Sequence, residues 1–122
     1  MRQERRFSVG RYEDFTKFRQ DMNARILKEG TLEIKRFFGI DKRAYHPGAL
    51  DAKTKELMGL AASMVLRCDD CVTYHIIEAL DKGATRDEIY ETFTVALVVG
   101  GSIVIPHLRR AVSFLDEMLE KK

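Results

Sequence analysis

The spacing of the apolar residues constrains the fold of this chain more than any other feature of its sequence. They recur every three or four positions over most of the length. This spacing places apolar side chains on one face of an α-helix, and no stretch alternates with the two-residue period of a strand. The sequence therefore predicts an all-α protein of five to seven helices. Because the chain has 122 residues, we expect a single domain over residues 1–122.

Capping residues divide the first part of this pattern. We expect a first helix over residues 11–29 that stops at Gly30, because glycine is a common helix terminator. Thr31 is expected to cap a short second helix that ends at Gly39. The segment 40–49 contains proline and glycine and is predicted to be a loop.

The second part of the chain carries further cap signals. Asp51 is predicted to cap a third helix, and a helical cysteine-containing segment is expected to run to Gly83. Thr85 and Glu88 have the spacing of a capping box, and a last helix is expected after Pro106. The apolar stripes predicted for the third and last helices are Leu57, Leu60, Ala61, Met64 and Val65, and Leu108, Val112, Leu115 and Leu119.

Charge and hydropathy exclude several classes of partner. The chain has 21 basic and 19 acidic residues with no clustered basic footprint, so we expect no nucleic-acid partner. The longest apolar run, residues 95–105, is too short and too interrupted by glycine to span a membrane. Instead, the C-terminal half of the helix carrying residues 89–99 is expected to be buried nearly all round. Residues 1–9 lack the apolar stretch of a secretory signal, so a cytoplasmic location is expected.

The chain has two cysteines, Cys68 and Cys71, and their spacing points to chemistry. In a reducing cytosol such a pair is typical of a redox-active or metal-binding site. On a helix both cysteines and His75 would share one face, so that His75 could hydrogen-bond a thiol or take its proton.

A helix break at residues 68–70 is also indicated, since Asp69 and Asp70 are residue types that cap helices. Cys71 would then lie in the first turn of a helix, where the dipole stabilises a thiolate. The two neighbouring carboxylates act in the opposite direction, because a nearby anion disfavours a second one.

Two other interpretations of the cysteines remain open. The first is a pair of buried small residues that only pack. The second is a zinc site, in which Cys68, Cys71 and His75 would be joined by His107 or Asp70. Structural zinc sites usually take ligands from two separate segments, and the sequence has no second pair, so we expect no metal.

Glu56 is a further candidate, but its spacing alone does not favour an active role. On one straight helix it would lie about 18 Å from Cys68. It reaches the cysteines only if the chain folds back at the break. Without that reversal, Glu56 is expected to be a surface carboxylate paired with Lys53 or solvated.

The motif formed by Glu56 and Cys68-x-x-Cys71-x-x-x-His75 resembles the AhpD-like branch of the carboxymuconolactone decarboxylase family. The resemblance covers about residues 50–119, and the first 45 or so residues carry no motif that matches. It implies an all-α, AhpD-like domain that assembles as a homo-oligomer, a trimer or a hexamer.

The resemblance also implies an activity, which is that of an alkylhydroperoxidase or thiol-disulfide oxidoreductase without a bound cofactor. Cys71 would attack the hydroperoxide, Cys68 would resolve the product to a disulfide, and His75 and Glu56 would form a proton relay. A lipoyl-type or thioredoxin-type dithiol would be the electron donor. The alternatives are a non-enzymatic redox-sensing or structural oligomer, and a lactone decarboxylase, which the cysteine pair argues against.

Overall fold

The computed structural model describes residues 10–121, so residues 1–9, in which no secretory signal is expected, lie outside the described part. Within that part the chain forms six α-helices and no strand, which confirms the all-α prediction. No helix described is long and apolar enough to cross a lipid bilayer. The helices are α1 (Arg11–Glu29), α2 (Leu32–Ala44), α3 (Ala52–Val65), α4 (Asp69–Asp81), α5 (Arg86–Gly100) and α6 (Ile105–Glu120), with a 3₁₀ turn at Ser102–Val104.

The chain divides into two compact units, Met1–Ala44 and Tyr45–Lys122. The single domain expected over residues 1–122 therefore stays a prediction. The described part of the first unit consists of α1 and α2, and neither helix has a buried residue. The candidate site residues predicted from the sequence, Glu56, Cys68, Cys71 and His75, all lie in the second unit.

The predicted bounds of α1 are confirmed, but those of α2 are wrong at its C-terminal end. Thr31 Oγ1 accepts a hydrogen bond from the backbone N–H of Ile34, as expected for a cap. The helix then continues through Gly39 to Ala44, so the predicted loop starts five residues too early. A glycine inside an exposed helix costs only about 1 kcal/mol, which the surrounding helix can tolerate.

In the second unit, the predicted caps are confirmed. Asp51 Oδ1 accepts from Thr54 N–H at 2.7 Å and starts α3. Thr85 and Glu88 form the reciprocal capping box of α5, with N···O distances of 2.8 and 3.1 Å. These caps satisfy backbone N–H groups that a helix N-terminus otherwise leaves without partners.

The buried faces of α3 and α6 are turned slightly from the predicted stripes. Leu60 and Met64 are buried as expected, but Leu57 and Val65 are only partly covered. Apolar spacing locates the general face of a helix, whereas its neighbours decide which edge is covered. The buried residues are Glu56, Leu60, Ser63 and Met64 in α3, and Ala111, Phe114, Leu115 and Met118 in α6.

Helix α5 does not have the predicted all-round burial. Its face carrying Ile89 and Phe93 is buried, and α5 packs against α3. Val95, Val98 and Val99, in contrast, are 58%, 80% and 69% exposed. Within this one chain, α5 therefore has one covered face and one apolar face in contact with solvent.

Candidate active site

The turn between α3 and α4 folds the chain back on itself. Arg67 has a φ of 61°, which lies in the left-handed region that residues other than glycine rarely adopt. Two backbone hydrogen bonds hold this turn, from Arg67 N–H to the Met64 oxygen and from Cys68 N–H to the Ser63 oxygen, each 3.0 Å long. The chain reversal that Glu56 needed is therefore present.

The cysteines occupy the N-terminus of α4. Cys68 is the N-cap, and its Sγ accepts from Cys71 N–H at 3.3 Å. The two residues form a disulfide, with their Cα atoms 5.3 Å apart. The cap is thus the cysteine itself, because Asp69 and Asp70 already belong to the helix.

Cys71 lies in the first turn of α4, which confirms the predicted position. Cys71 is exposed, whereas Cys68 is half-buried. Because Cys68 has an extended backbone, the two cysteines do not share a helix face. Their proximity comes from the cap geometry instead.

Glu56 and His75 form a buried pair across the α3–α4 hairpin. His75 Nδ1 lies 2.8 Å from Glu56 Oε1, and the two residues are 7% and 2% exposed. The surface position inferred for Glu56 from spacing alone is therefore wrong. Lys53, its expected partner, binds Glu88 on α5 at 2.9 Å. The chain reversal that spacing could not reveal explains both differences.

The pair orients the imidazole of His75. A carboxylate oxygen can only accept, so Nδ1 donates to Glu56, and in the neutral imidazole Nε2 then carries the lone pair. The hydroxyl oxygen of Tyr45 is 3.5 Å from Nε2, and the two rings are tilted with centroids 5.4 Å apart. His75 thus has a basic nitrogen held in a fixed direction, one helical turn after Cys71.

Tyr45 was not identified from the sequence. It lies in the segment before α3, where no periodic pattern marks a residue as buried or exposed. The Tyr45–His75 contact joins residues 30 positions apart and is visible only in three dimensions.

Gly59 on α3 was also missed, although the sequence held a signal for it. A Cβ atom at this position would lie 2.6 Å from His75 Cε1 and 2.8 Å from Nε2. The absence of a side chain lets the imidazole lie directly against α3. A glycine inside a helix costs about 1 kcal/mol, so its presence three residues after Glu56 indicates close packing.

Asp69 is held by two side chains of α6. His107 Nδ1 donates to Oδ1 at 2.7 Å, and Arg110 Nε donates to Oδ2 at 2.8 Å. Partial burial alone would raise the pKa of Asp69, but the hydrogen bonds from His107 and Arg110 outweigh it and hold the pKa below 3.8. No pattern in the sequence connects these three residues.

The zinc set considered from the sequence is not assembled. In residues 10–121, no three histidine, cysteine or acidic side chains are grouped so that they could hold a metal ion. His75 is directed to Glu56, and His107 to Asp69.

The arrangement combines two functions in one hairpin. A cysteine pair that can cycle between dithiol and disulfide lies at the positive end of the α4 dipole, where a thiolate is favoured. A buried carboxylate–imidazole pair, formed by Glu56 of α3 and His75 of α4, can carry a proton. Together these groups are suited to thiol redox chemistry.

The sequence of this chain is similar to those of known proteins. The sequence model of the carboxymuconolactone decarboxylase family matches residues 33–114. An uncharacterised protein of Cupriavidus necator is 33% identical over 82 residues, which are 67% of this chain and 73% of that protein. An uncharacterised protein of the cox locus of Paracoccus denitrificans is also 33% identical, over 67% of this chain and 74% of its own length.

Solved structures agree with the fold. A crystal structure of TM1620 from Thermotoga maritima is 57% identical and has a TM-score of 0.88, covering 90% of this chain and 96% of that one. A second structure of TM1620, a carboxymuconolactone decarboxylase family protein with a suggested role in the antioxidative response, has a TM-score of 0.85, covering 88% of this chain and 91% of that one. The family protein lpg0406 of Legionella pneumophila is 29% identical with a TM-score of 0.79, covering 87% of this chain and 95% of its own.

Proposed function

The chain belongs to the carboxymuconolactone decarboxylase family, and from this premise we propose that it is a thiol-dependent oxidoreductase that reduces alkyl hydroperoxides through Cys71 and Cys68. One observation carries the proposal, namely the buried Glu56–His75 pair on the hairpin that also holds the cysteines. A pair of cysteines that only packed would have no need of a buried proton carrier beside it.

In the first step, His75 takes the proton of the Cys71 thiol through Nε2, and the Glu56 carboxylate stabilises the imidazolium. The Cys71 thiolate then attacks one oxygen of the hydroperoxide, and the O–O bond breaks. Cys71 becomes a sulfenic acid, and the alkoxide that leaves takes the proton from the His75 imidazolium to become an alcohol. The exposure of Cys71, compared with the half-buried Cys68, supports this assignment of the attacking thiol.

In the second step, the Cys68 thiolate attacks the sulfenic sulfur of Cys71. The S–O bond breaks, the hydroxide that leaves takes up the proton released when the Cys68 thiol ionised and becomes water, and the disulfide forms. A dithiol donor then supplies two electrons and two protons and is itself oxidised to a disulfide. A lipoyl-type or thioredoxin-type dithiol has the required chemistry.

The proposal includes an assembly and a location. A homo-oligomer, a trimer or hexamer, would cover the exposed valines of α5, since monomeric proteins rarely leave a contiguous apolar patch uncovered. A reducing compartment such as the cytoplasm suits a pair that must return to the dithiol form.

The test is hydroperoxide consumption with a panel of dithiol donors, using wild type, Cys71→Ser and Cys68→Ser. We expect the wild type to turn over repeatedly, Cys68→Ser to stop after about one equivalent, and Cys71→Ser to lose the reaction. Wild-type consumption no faster than that of Cys71→Ser, with every donor, would rule out the proposal.

A further inference from the structure

The first turn of α4 is tied to α6 through Asp69, which lies between the two cysteines in the sequence. Its carboxylate oxygens accept one hydrogen bond each, from His107 at 2.7 Å and from Arg110 at 2.8 Å. Arg110 Nη2 is also 3.3 Å from His107 Nδ1, but this nitrogen cannot both donate to Asp69 and accept from Arg110. The shorter contact identifies the carboxylate as the partner of His107.

We propose that Asp69, His107 and Arg110 are positioning residues for the cysteine pair: they hold the first turn of α4 against α6, and Arg110 compensates the Asp69 charge beside the thiolate. This inference rests on the proposed thiol chemistry of Cys68 and Cys71. It gives the three residues a role that is separate from the Glu56–His75 pair.

The mechanical part of the role concerns the reduced protein. In the oxidised form the disulfide itself fixes Cys68 against Cys71. Once it is reduced, the restraints on the turn include the backbone hydrogen bonds and the link from Asp69 to α6. Thr73 Oγ1 also donates to the Asp69 carbonyl oxygen at 2.9 Å, which holds the same residue from inside the helix. The dithiol therefore keeps the spacing needed to close again.

The electrostatic part follows from comparing two neighbouring carboxylates. An anion beside a thiolate raises the pKa of the thiol, and a cation lowers it. Asp69 has the Arg110 guanidinium at its carboxylate, whereas the exposed Asp70 has no ion pair within residues 10–121. The charged and titratable groups near the pair are Arg67, Asp69 and Asp70 along the chain, the Glu56–His75 pair of the hairpin, and His107 and Arg110 from α6.

Alkylation of the reduced protein tests both parts without any peroxide. The rate of iodoacetamide labelling at Cys71, followed by peptide mass spectrometry against pH, gives the thiol pKa. We expect Arg110→Gln to raise that pKa by about 0.5 and to slow labelling at pH 7 about threefold, the size of one unit charge near a protein surface. Arg109→Gln is the matched control on the preceding residue of α6, and an equal change there would overturn the proposal.

The two aspartates provide a second, independent comparison. Asp70→Asn removes an anion that has no ion pair within residues 10–121, so labelling at pH 7 should accelerate about threefold. Asp69→Asn removes an anion but also releases the Arg110 cation to solvent, so we expect a change of less than about 1.5-fold. Equal acceleration in both variants would show that Asp69 is an ordinary carboxylate and would overturn the charge compensation.

Rescue separates this role from general stability. Arg110→Lys keeps the cation and should return the labelling rate to within about 1.5-fold of wild type. In an Asp69→Asn background, Arg110→Gln should have no further effect, because the cation is already released. A thermal melt of each variant verifies that it is folded. If Arg110→Lys labels as slowly as Arg110→Gln while both are folded, the charge assignment is wrong.

The disulfide equilibrium in glutathione buffers measures the mechanical part. We expect Asp69→Ala, which leaves no acceptor for His107 and Arg110, to shift the balance toward the dithiol by about threefold, because the first turn of α4 is no longer held against α6. An unchanged equilibrium would contradict the mechanical role. A protein that consumes no hydroperoxide but shows these shifts would refute the proposed function and leave this inference intact.

Discussion

His75 Nδ1 on α4 and Glu56 Oε1 on α3 lie 2.8 Å apart, and both side chains are buried. A buried carboxylate without a partner is costly, so each residue needs the other. Their separation of 19 positions in the chain is bridged by the reversal at Arg67. The direction of the imidazole therefore depends on the hairpin being closed.

Glu56→Gln tests the role of this carboxylate in proton transfer. The amide oxygen can still accept from Nδ1, so the free energy of unfolding should change by less than about 1 kcal/mol. The amide cannot stabilise an imidazolium, so hydroperoxide turnover should fall about 10- to 100-fold. Stopped-flow turnover and urea unfolding measure the two quantities. Glu91→Gln, which removes an exposed carboxylate of α5, is the control. Full activity in Glu56→Gln would refute the relay.

Gly59→Ala tests the packing of the imidazole against α3. The added Cβ would meet His75 at 2.6 Å, so the ring must shift and turnover should fall at least about tenfold. Gly39→Ala is the matched control, since a Cβ there meets nothing within 4 Å. That variant should raise the free energy of unfolding by up to about 1 kcal/mol, because alanine is the better helix former. Equal activity in both alanine variants would show that Gly59 has no positioning role.

Two helix caps predict how stability changes in acid. Hydrogen bonds from Lys53 and from the Thr85 backbone hold the pKa of Glu88 below 4.5, and the Thr54 backbone holds that of Asp51 below 3.8. Carboxyl groups with lowered pKa values stabilise the fold above their ordinary pKa, and this stabilisation is lost as pH falls through the lowered value.

The free energy of unfolding should therefore fall from about pH 5 downward. Glu88→Gln and Asp51→Asn should each make that fall shallower, as measured by urea unfolding between pH 7 and pH 2. Asp116→Asn, at an exposed position of α6, should leave the slope unchanged. A slope that stays the same in the two cap variants would contradict the assignment.

Val98→Glu tests whether the exposed face of α5 joins copies of the chain. Val98 is 80% exposed, and Val95 and Val99 flank it on the same helix. A charge inserted in an apolar interface is costly, so we expect the sedimentation coefficient to fall to that of a smaller species. Gln20→Glu adds the same charge at an exposed position of α1 and should leave the assembly unchanged. A wild type that sediments as a monomer would refute the oligomer.

The sequence predicted most elements because their signals are local. Asp51, Thr85 and Gly30 mark helix ends through contacts within four residues, and all three are confirmed. Gly39 shows the limit, since a glycine ends a helix only where the chain can turn. The exposed face of α5 is another case, because composition says that a helix is apolar but not what covers it.

The candidate site divides in the same way. Cys68, Cys71 and His75 lie within eight residues of one another, so their spacing alone marks them as candidates. The place of Glu56 in the candidate site was inferred from the family resemblance alone. Periodicity along one helix cannot reveal that two helices fold back on each other. The Tyr45–His75 contact and the Asp69–Arg110 contact each join distant parts of the chain. The residue types involved are also common at protein surfaces. Such pairs have no signature in a single sequence.

The left-handed turn at Arg67 has a consequence for how the site forms during folding. Because α3 and α4 are consecutive and joined by a short turn, the contacts of Glu56 and Gly59 with His75 close a small loop of chain. Small loops lose little entropy on closure, and structures rich in such contacts form quickly. The Glu56–His75 pair and the cysteine pair thus lie in one helical hairpin, and we expect its contacts to form before the more distant contacts of α6.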